Sequence, residues 1–249
     1  MTVFETSEDA WLGGQLRLKQ PKRGYRAAID AALLAAATPL QPGQRVLDLG
    51  TGVAAAALAL AARVNDAQVD GVELQPEFAA LGLENIHLNG FQNRVRCLQG
   101  DVLDLPTDVA AYDQVMMNPP YLASGGNDAG MDTAKRIATI EGPARLDDWV
   151  RAAASALRSG GGLTIIHRAD RLGDILTAAG ANNFGGLTVF PLWPKAGEAA
   201  RRVIVHGRKA KGGRLALMPG LVLHQANGTY TPEADAALRG GALDFTPHP

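Results

Sequence analysis

"RVLDLGTGVAAAALALAARV", residues 45–64, sets the frame for the rest of the chain. Arg45 to Leu49 carry the near-continuous apolar pattern of a buried strand. Gly50 and Gly52 then permit a tight turn and let a ligand approach the backbone closely. An alanine- and leucine-rich run follows, with the composition of a buried helix. Strand, glycine turn and helix in that order open an α/β unit, and such units take ligands at the carboxyl ends of their strands. The loop also fits the loose pattern GxGxxA, with an acid, Glu73, about twenty residues on. Alone, therefore, it leaves a dinucleotide-binding oxidoreductase and a bare structural turn open.

The flanking sequence repeats the alternation. "AQVDGVEL" (67–74) reads as a strand, and "PEFAALGLENIHLNG" as a helix with Pro76 in its first turn and Gly90 past its end. "RVRCLQG" and "YDQVMM" (112–117) are further strands. "ARLDDWVRAAASALRSGG" predicts an amphipathic helix stopped by glycines, and "GLTIIH" (162–167) a fifth strand. After the helix in "RADRLGDILTAAG", "GGLTVFPLW" and "RRVIVHG" close the pattern. Strands separated by helix-length segments imply right-handed parallel crossovers. The expected fold is therefore α/β: a Rossmann-like, doubly wound, mostly parallel seven-stranded sheet with helices on both faces. Before it, "AWLGGQLRLKQP" predicts a hairpin around Gly13-Gly14, and "AAIDAALLAAATPL" a short helix ended by Pro39. The expected divisions are an N-terminal extension over 1–44, the core over 45–214, and strands and turns over 215–249 that extend the same domain.

Composition excludes several classes. The 249 residues are 47% hydrophobic and 20% charged, an ordinary globular balance. The single cysteine, Cys97, rules out an internal disulfide framework and a cysteine-based zinc site, and its strand setting suggests a core thiol. The five histidines have no HxxxH or HExxH spacing, so no metal is expected. The N-terminus is acidic and lacks the apolar core of a secretory signal. Val53 to Val64 is too short to span a bilayer and is interrupted by Arg63. The expectation is a cytoplasmic protein with no membrane partner, taken as a monomer. A net charge of −1 exerts no global pull on nucleic acid, so any basic surface must be local.

Three acids mark successive strand ends. Asp48 precedes the glycines, Glu73 ends the second strand, and Asp101 ends the third in "QGDVLDL". The Glu73 carboxylate suits two ribose hydroxyls and Asp101 suits an adenine amino group. Such a group of acids would repel a pyrophosphate and favours a ligand with a sulfonium and an amino group. The fourth strand leads into "MMNPPYLASGG" (116–126), where Asn118, Pro119, Pro120 and Tyr121 follow a buried run.

"VLDLGTG", "GVEL", "QGDVLDL" and "NPPY", in this order and spacing, resemble class I S-adenosylmethionine-dependent methyltransferases. "NPPY" is similar to the amino-methylating branch. "LGGQLRLKQPKRGYRAAIDAALLAAA" upstream and "RRVIVHGRKAKGGRLALMPGLVLH" downstream resemble the bacterial small-domain methyltransferases that include the adenine-37 N6-methyltransferases of valine tRNA. The resemblance covers almost the whole chain. It implies S-adenosyl-L-methionine as cofactor, held by Asp30, Asp48, Gly50, Gly52, Glu73, Leu74, Asp101, Val102 and Asn118. It departs at one position, where Ala54 stands at what is often a third glycine.

A conjugated amino group is a weak nucleophile, and two acceptors aimed at its protons orient and partly rehybridise it. The Asn118 side-chain oxygen and the Pro119 carbonyl suit that role, because Pro119 has a fixed φ and is held extended by Pro120. Tyr121 offers a face for a flipped base, worth roughly 1–3 kcal/mol. "LASGGNDAG" reads either as a mobile loop over the substrate or as a disordered connector. Seven cations and one acid, Glu198, lie between Lys195 and Arg214, and Lys19, Lys22, Arg23 and Arg26 form a second group. Arg201, Arg202, Lys209 and Lys211 are the expected contacts to RNA, with tRNA the expected partner. Alternatives are a glutamine-N5 methyltransferase acting on a release factor, a guanine-N2 rRNA methyltransferase, and a silent cofactor- or RNA-binding module. The release-factor enzymes carry a longer helical N-terminal domain than the 44 residues that precede the first core strand here.

Overall fold

In the computed structural model, residues 5–23, 26–105, 112–120 and 144–245 are described. The chain runs β1 (Thr6–Trp11), β2 (Leu16–Pro21), α1 (Ile29–Ala37), β3 (Arg45–Leu49), α2 (Ala55–Arg63), β4 (Gln68–Glu73) and α3 (Pro76–Leu88). It continues through β5 (Val95–Gln99), β6 (Tyr112–Met117), α4 (Leu146–Ala156), β7 (Leu157–Arg168), α5 (Leu172–Ala181), β8 (Phe184–Lys195) and β9 (Arg202–Lys209). Two short strands, β10 (Ala216–Leu217) and β11 (Leu221–His224), precede α6 (Pro232–Leu238).

The main sheet has the order β10-β8-β9-β7-β6-β3-β4-β5, and β11 pairs with β8 beyond β10. Only β9 runs antiparallel to its neighbours, β7 and β8. The chain starts at the central β3, winds outward to β5, returns beside β3 as β6, and winds the other way. That reversal between β3 and β6 makes the crevice in which ligands of open α/β sheets bind. The seven expected strands form this doubly wound core, and β10 and β11 widen the sheet to nine.

One expectation needs correction. The glycines after α4 do not separate helix from strand; β7 begins at Leu157 and contains them. The β6–β7 register shifts between Tyr112 and Gln114, and a Cβ on Gly162 would lie 2.1 Å from Gln114 Oε1. The glycines thus let an irregular strand start close against β6 instead of capping the helix.

Leu47, Leu49, Val115, Met117 and Ile165 face α4 and α5, whereas Val46, Met116 and Ile166 face α1, α2 and α3. This alternation along buried strands fills both faces of the sheet. The small side chains of α2 pack directly on the sheet, and Ala57, Leu58, Leu60 and Ala61 have no exposed surface.

The N-terminal hairpin is held by an unusual edge. Asn85 on α3 and Asn89, which caps that helix one turn on, exchange side-chain hydrogen bonds with the backbone of Lys19 and Arg17 at 2.7–3.0 Å. The two amides act as a partner strand for β2 and satisfy an edge that would otherwise stay open. At the other terminus, the Leu243 N–H donates to Ala36 O at 2.8 Å, and Phe245 stacks on Phe190.

Candidate functional site

The glycine loop is tied to the end of β4. The N–H groups of Gly50 and Thr51 donate to Val72 O at 2.8 and 3.0 Å, and that of Gly52 donates to Glu73 Oε2 at 3.0 Å. Glu73 Oε1 accepts from the Gln75 N–H at 2.9 Å. Burial pushes the Glu73 carboxyl upward in pKa, and these backbone donors pull against it. The loop and its acid are thus positioned as one unit before any ligand arrives.

Asp48 lies deeper, at 2% exposure. Its Oδ2 accepts from Thr51 Oγ1 at 2.7 Å. Gly71 on β4 makes room for that threonine, because a Cβ there would lie 2.6 Å from Thr51 Cγ2. Desolvation raises the Asp48 pKa to about 7, opposed by the Thr51 hydrogen bond and reinforced by the charge of Glu73. Cys97 beneath is driven by burial to about 12, which makes it an inert core thiol.

Gly50, Gly52, Glu73, Leu74, Asp101, Val102, Asn118 and Pro120 line one cleft, together with Val72, Gln75, Phe78 and Trp149. Its interior volume is about 90 Å³. Asp101 closes its far side, with Oδ1 accepting from the Leu103 N–H at 2.9 Å. Leu74, half exposed at 51%, stands at the mouth. Gly50 has a φ of 71°, and a Cβ there would lie 2.8 Å from Trp149 Cη2, so both its conformation and its neighbour require glycine. No lysine or arginine lines the cleft among the described residues.

The residues of the cleft suit S-adenosylmethionine. The glycine cradle gives close backbone approach, and carboxylates with no cation opposite them favour a ligand that brings positive charge. Glu73, Asp101 and the floor around Gly50 would hold it.

Asn118 extends from the tip of β6 and lines both this cleft and a smaller hollow that Asp48 borders. Pro119 is buried, and Asn118 and Pro120 are half-buried. His167, at the end of the neighbouring β7, places Nε2 3.4 Å from Pro120 O. Burial, then the charge of Arg171, lowers the His167 pKa to about 4, so the ring is neutral at pH 7 and its N–H can hold that carbonyl. Tyr121 and "LASGGNDAG" lie outside the described residues.

Other expected contacts fall elsewhere. Asp30 does not line the cleft; it accepts from Arg202 Nε at 3.0 Å and anchors α1 to β9. Arg202 is accordingly engaged in a structural pair. Arg201 and Arg202 stand at the sheet edge that carries Asn118, but Lys209 ends the same strand seven residues on, roughly 23 Å away. The Lys209 Nζ donates to Leu157 O at 2.7 Å, and Lys211 follows it on that far side. The basic segment therefore divides between two edges rather than making one surface. In the N-terminal group, Lys19, Lys22 and Arg26 pair with Glu84, Glu5 and Asp9. No group of three potential metal-ligating side chains occurs among the described residues, and no helix there is long and apolar enough to cross a membrane.

Phe78, Trp149 and His167 are the site residues that motif reading missed. Trp149 was legible only as one apolar position of an amphipathic helix. His167 had a faint signal, a polar residue ending a strand that is otherwise apolar.

A doubly wound sheet with an acid-lined glycine cleft at its switch point, followed by Asn-Pro-Pro on the adjacent strand tip, defines an S-adenosylmethionine-dependent methyltransferase. Residues 31–155 match the family model of the TRM5/TYW2 methyltransferase domain. A curated relative from Mannheimia succiniciproducens, named tRNA1(Val) (adenine(37)-N6)-methyltransferase, is 31% identical over 67% of this chain and 69% of its own length. One of the same name from Aeromonas salmonicida is 26% identical over 87% and 90%. A crystal structure titled as a predicted O-methyltransferase from Agrobacterium tumefaciens is 30% identical, has a TM-score of 0.71, and overlaps 86% of this chain and 97% of that one. The chain belongs to the family of the TRM5/TYW2 methyltransferase domain.

Proposed function

We propose that this protein transfers a methyl group from S-adenosylmethionine to the N6 amino group of adenine in tRNA, with adenine 37 of tRNA1(Val) the first candidate. The observation that carries the proposal is the convergence of Asn118, at the strand tip, with the Glu73–Asp101 cleft. The names and coverage of the relatives support tRNA as the substrate class.

S-adenosylmethionine supplies an electrophilic methyl group bonded to a positive sulfur. The Asn118 carbonyl oxygen and the Pro119 carbonyl accept from the two protons of the target amine and turn its lone pair outward. Pro119 and Pro120 restrict the backbone, and His167 holds the next carbonyl, so the acceptors are set before substrate binds. When bound, the cofactor would give its methyl carbon to that nitrogen and keep the carbon–sulfur electron pair on sulfur. The nitrogen then releases a proton to solvent, so no strong base is required. Tyr121 is assigned the face on which the extruded base stacks.

The O-methyltransferase title of the structural relative raises a second reading. A hydroxyl substrate needs a base for its single proton and has no use for two acceptors, so an Asn-Pro-Pro tip favours the amine. The test is incubation of the protein with S-adenosylmethionine and unmodified tRNA1(Val) transcript, followed by nucleoside mass spectrometry. N6-methyladenosine at position 37 is expected. Absence of methyl transfer, or a 2′-O-methylated nucleoside, overturns the reading.

A further inference from the structure

We propose that the carboxyl ends of β8 and β11 form a second RNA-binding wall, on which a nucleotide flanking the target stacks against Tyr230 while Lys195 and Arg201 hold the adjoining phosphates. The proposal rests on the tRNA reading above and adds a surface on the same sheet edge, several strands away from the cofactor cleft.

Topology brings the wall into place. β8 and β11 both run parallel to β6, so their carboxyl ends lie on the edge that carries Asn118. Pairing aligns Arg168 with Arg202 and Arg202 with Leu192. β8 continues three residues further, to Lys195, where it pairs with His224 of β11. The β8 tip therefore rises roughly 10 Å above that level, and β11 lies four strand spacings from β6, roughly 19 Å. The result is a raised rim beside the cleft, spaced from Asn118 by a few nucleotides of single strand.

The rim carries the two elements that single-stranded RNA requires. Tyr230 stacks on His224, with centroids 4.8 Å apart and planes at 27°, and remains 38% exposed. His224 is itself fixed, with Nδ1 3.2 Å from Pro194 O, so the tyrosine ring rests on an anchored support. Exposed aromatic rings of this kind stack bases without regard to sequence. Lys195 and Arg201 flank the turn between β8 and β9, and their side chains make no ion pair or hydrogen bond among the described residues. Two other cations at this edge are spent: Arg168 on Asp170 and Arg202 on Asp30. The loop 225–229 before Tyr230 has no acid, and the turn 196–200 has one, Glu198.

The test uses fluorescein-labelled tRNA1(Val) transcript and the full-length protein, with binding measured over a range of salt. Lys195→Ala/Arg201→Ala is expected to weaken binding about tenfold and to lower the salt slope by roughly 1.4, the value for two single-strand phosphate contacts. Tyr230→Ala should weaken it about fivefold with the slope unchanged, and Tyr230→Phe should bind as wild type. Cofactor affinity and melting temperature should not change in any of them. If wild type methylates the transcript but these variants bind it like wild type, the wall is wrong and the catalytic reading stands. Tyr230→Phe as impaired as Tyr230→Ala removes the stacking role. If wild type neither binds nor methylates the transcript, both proposals fall.

Discussion

The two edges of the sheet treat buried acids in opposite ways. At the amino edge, Asp70 of β4 is 4% exposed and fully answered. Arg96 meets both of its oxygens at 2.6 and 2.8 Å, Arg45 donates at 3.1 Å, and the Tyr112 hydroxyl at 2.7 Å. Burial pushes its pKa up, but the Arg96 and Tyr112 hydrogen bonds outweigh that and hold the carboxyl below its usual range. At the carboxyl edge, Asp48 and Glu73 are also buried and have only neutral donors. Their pKa values go up. One edge is a finished network, and the other leaves its acids without a cationic partner. The difference separates an acid answered by cations from two acids that have none, although all three sit on buried strands.

The largest expected effect comes from erasing that charge. The pKa of Asp48 is raised on folding, so it contributes stability that is intact below about pH 4 and is lost as pH rises towards about 7. The full difference is about 4 kcal/mol, from roughly three pKa units. Asp48→Asn should remove it, making the apo-protein more stable than wild type at pH 8 and not at pH 4. His167 and His206, both lowered to about 4, contribute the opposite slope between about pH 4 and 6.5. Denaturant melts must therefore be read as the difference between variant and wild type, and a difference independent of pH would show that folding leaves the Asp48 pKa at its unfolded value.

Asn118→Ala tests the carboxyl edge as chemistry. Loss of a preorganised acceptor should raise the barrier by about 3 kcal/mol, on the order of a hundredfold or more in turnover. Cofactor affinity should stay within threefold by calorimetry, and near-normal single-turnover rates would rule out the amine-orienting role. Asp70→Ala tests the opposite edge. It should cost about 2–3 kcal/mol, chiefly by stranding the buried Tyr112 hydroxyl, since the exposed Arg96 can turn to water. Cofactor affinity of the folded fraction should be unchanged; a loss there would show that the edges are coupled.

Glu73→Gln keeps shape and removes charge, and should weaken S-adenosylmethionine by about 2 kcal/mol, the scale of a charge-assisted hydrogen bond. Equal affinity for the variant would place the ribose elsewhere. The smallest effect is expected from His167→Phe, which should lower turnover by about 1 kcal/mol through a looser Pro120 carbonyl, with cofactor affinity constant. A change in affinity and none in turnover would assign His167 to the core alone.

Much of this was readable in the chain. The strands β3 to β6 and the glycine loop announce themselves because parallel strands buried on both faces must be apolar and their ends must turn sharply. The cleft acids were readable because they interrupt that rule at strand ends. The basic segment misled because closeness in sequence was read as closeness in space. "RRVIVHG" is a strand, and seven residues of strand carry Lys209 to the opposite edge. Asp30 misled for a different reason: its partner, Arg202, is 172 residues away. β10 and β11 are too short for any periodicity to distinguish them from turns. Ala54, read as a departure from a glycine, has a φ of 64° and keeps the left-handed turn at the cost of some strain.

The contact of Trp149 with Gly50 also has a photophysical consequence. Indole emission responds to the charge and polarity beside the ring, and this ring lines the cleft where a sulfonium would arrive. The other two tryptophans stand apart: Trp11 in the hairpin, and Trp193 on the outer β8, its Nε1 donating to Pro219 O. With Trp11 and Trp193 replaced by phenylalanine, Trp149 is the one tryptophan left. Occupancy of the cleft can then be followed optically in real time, without a label.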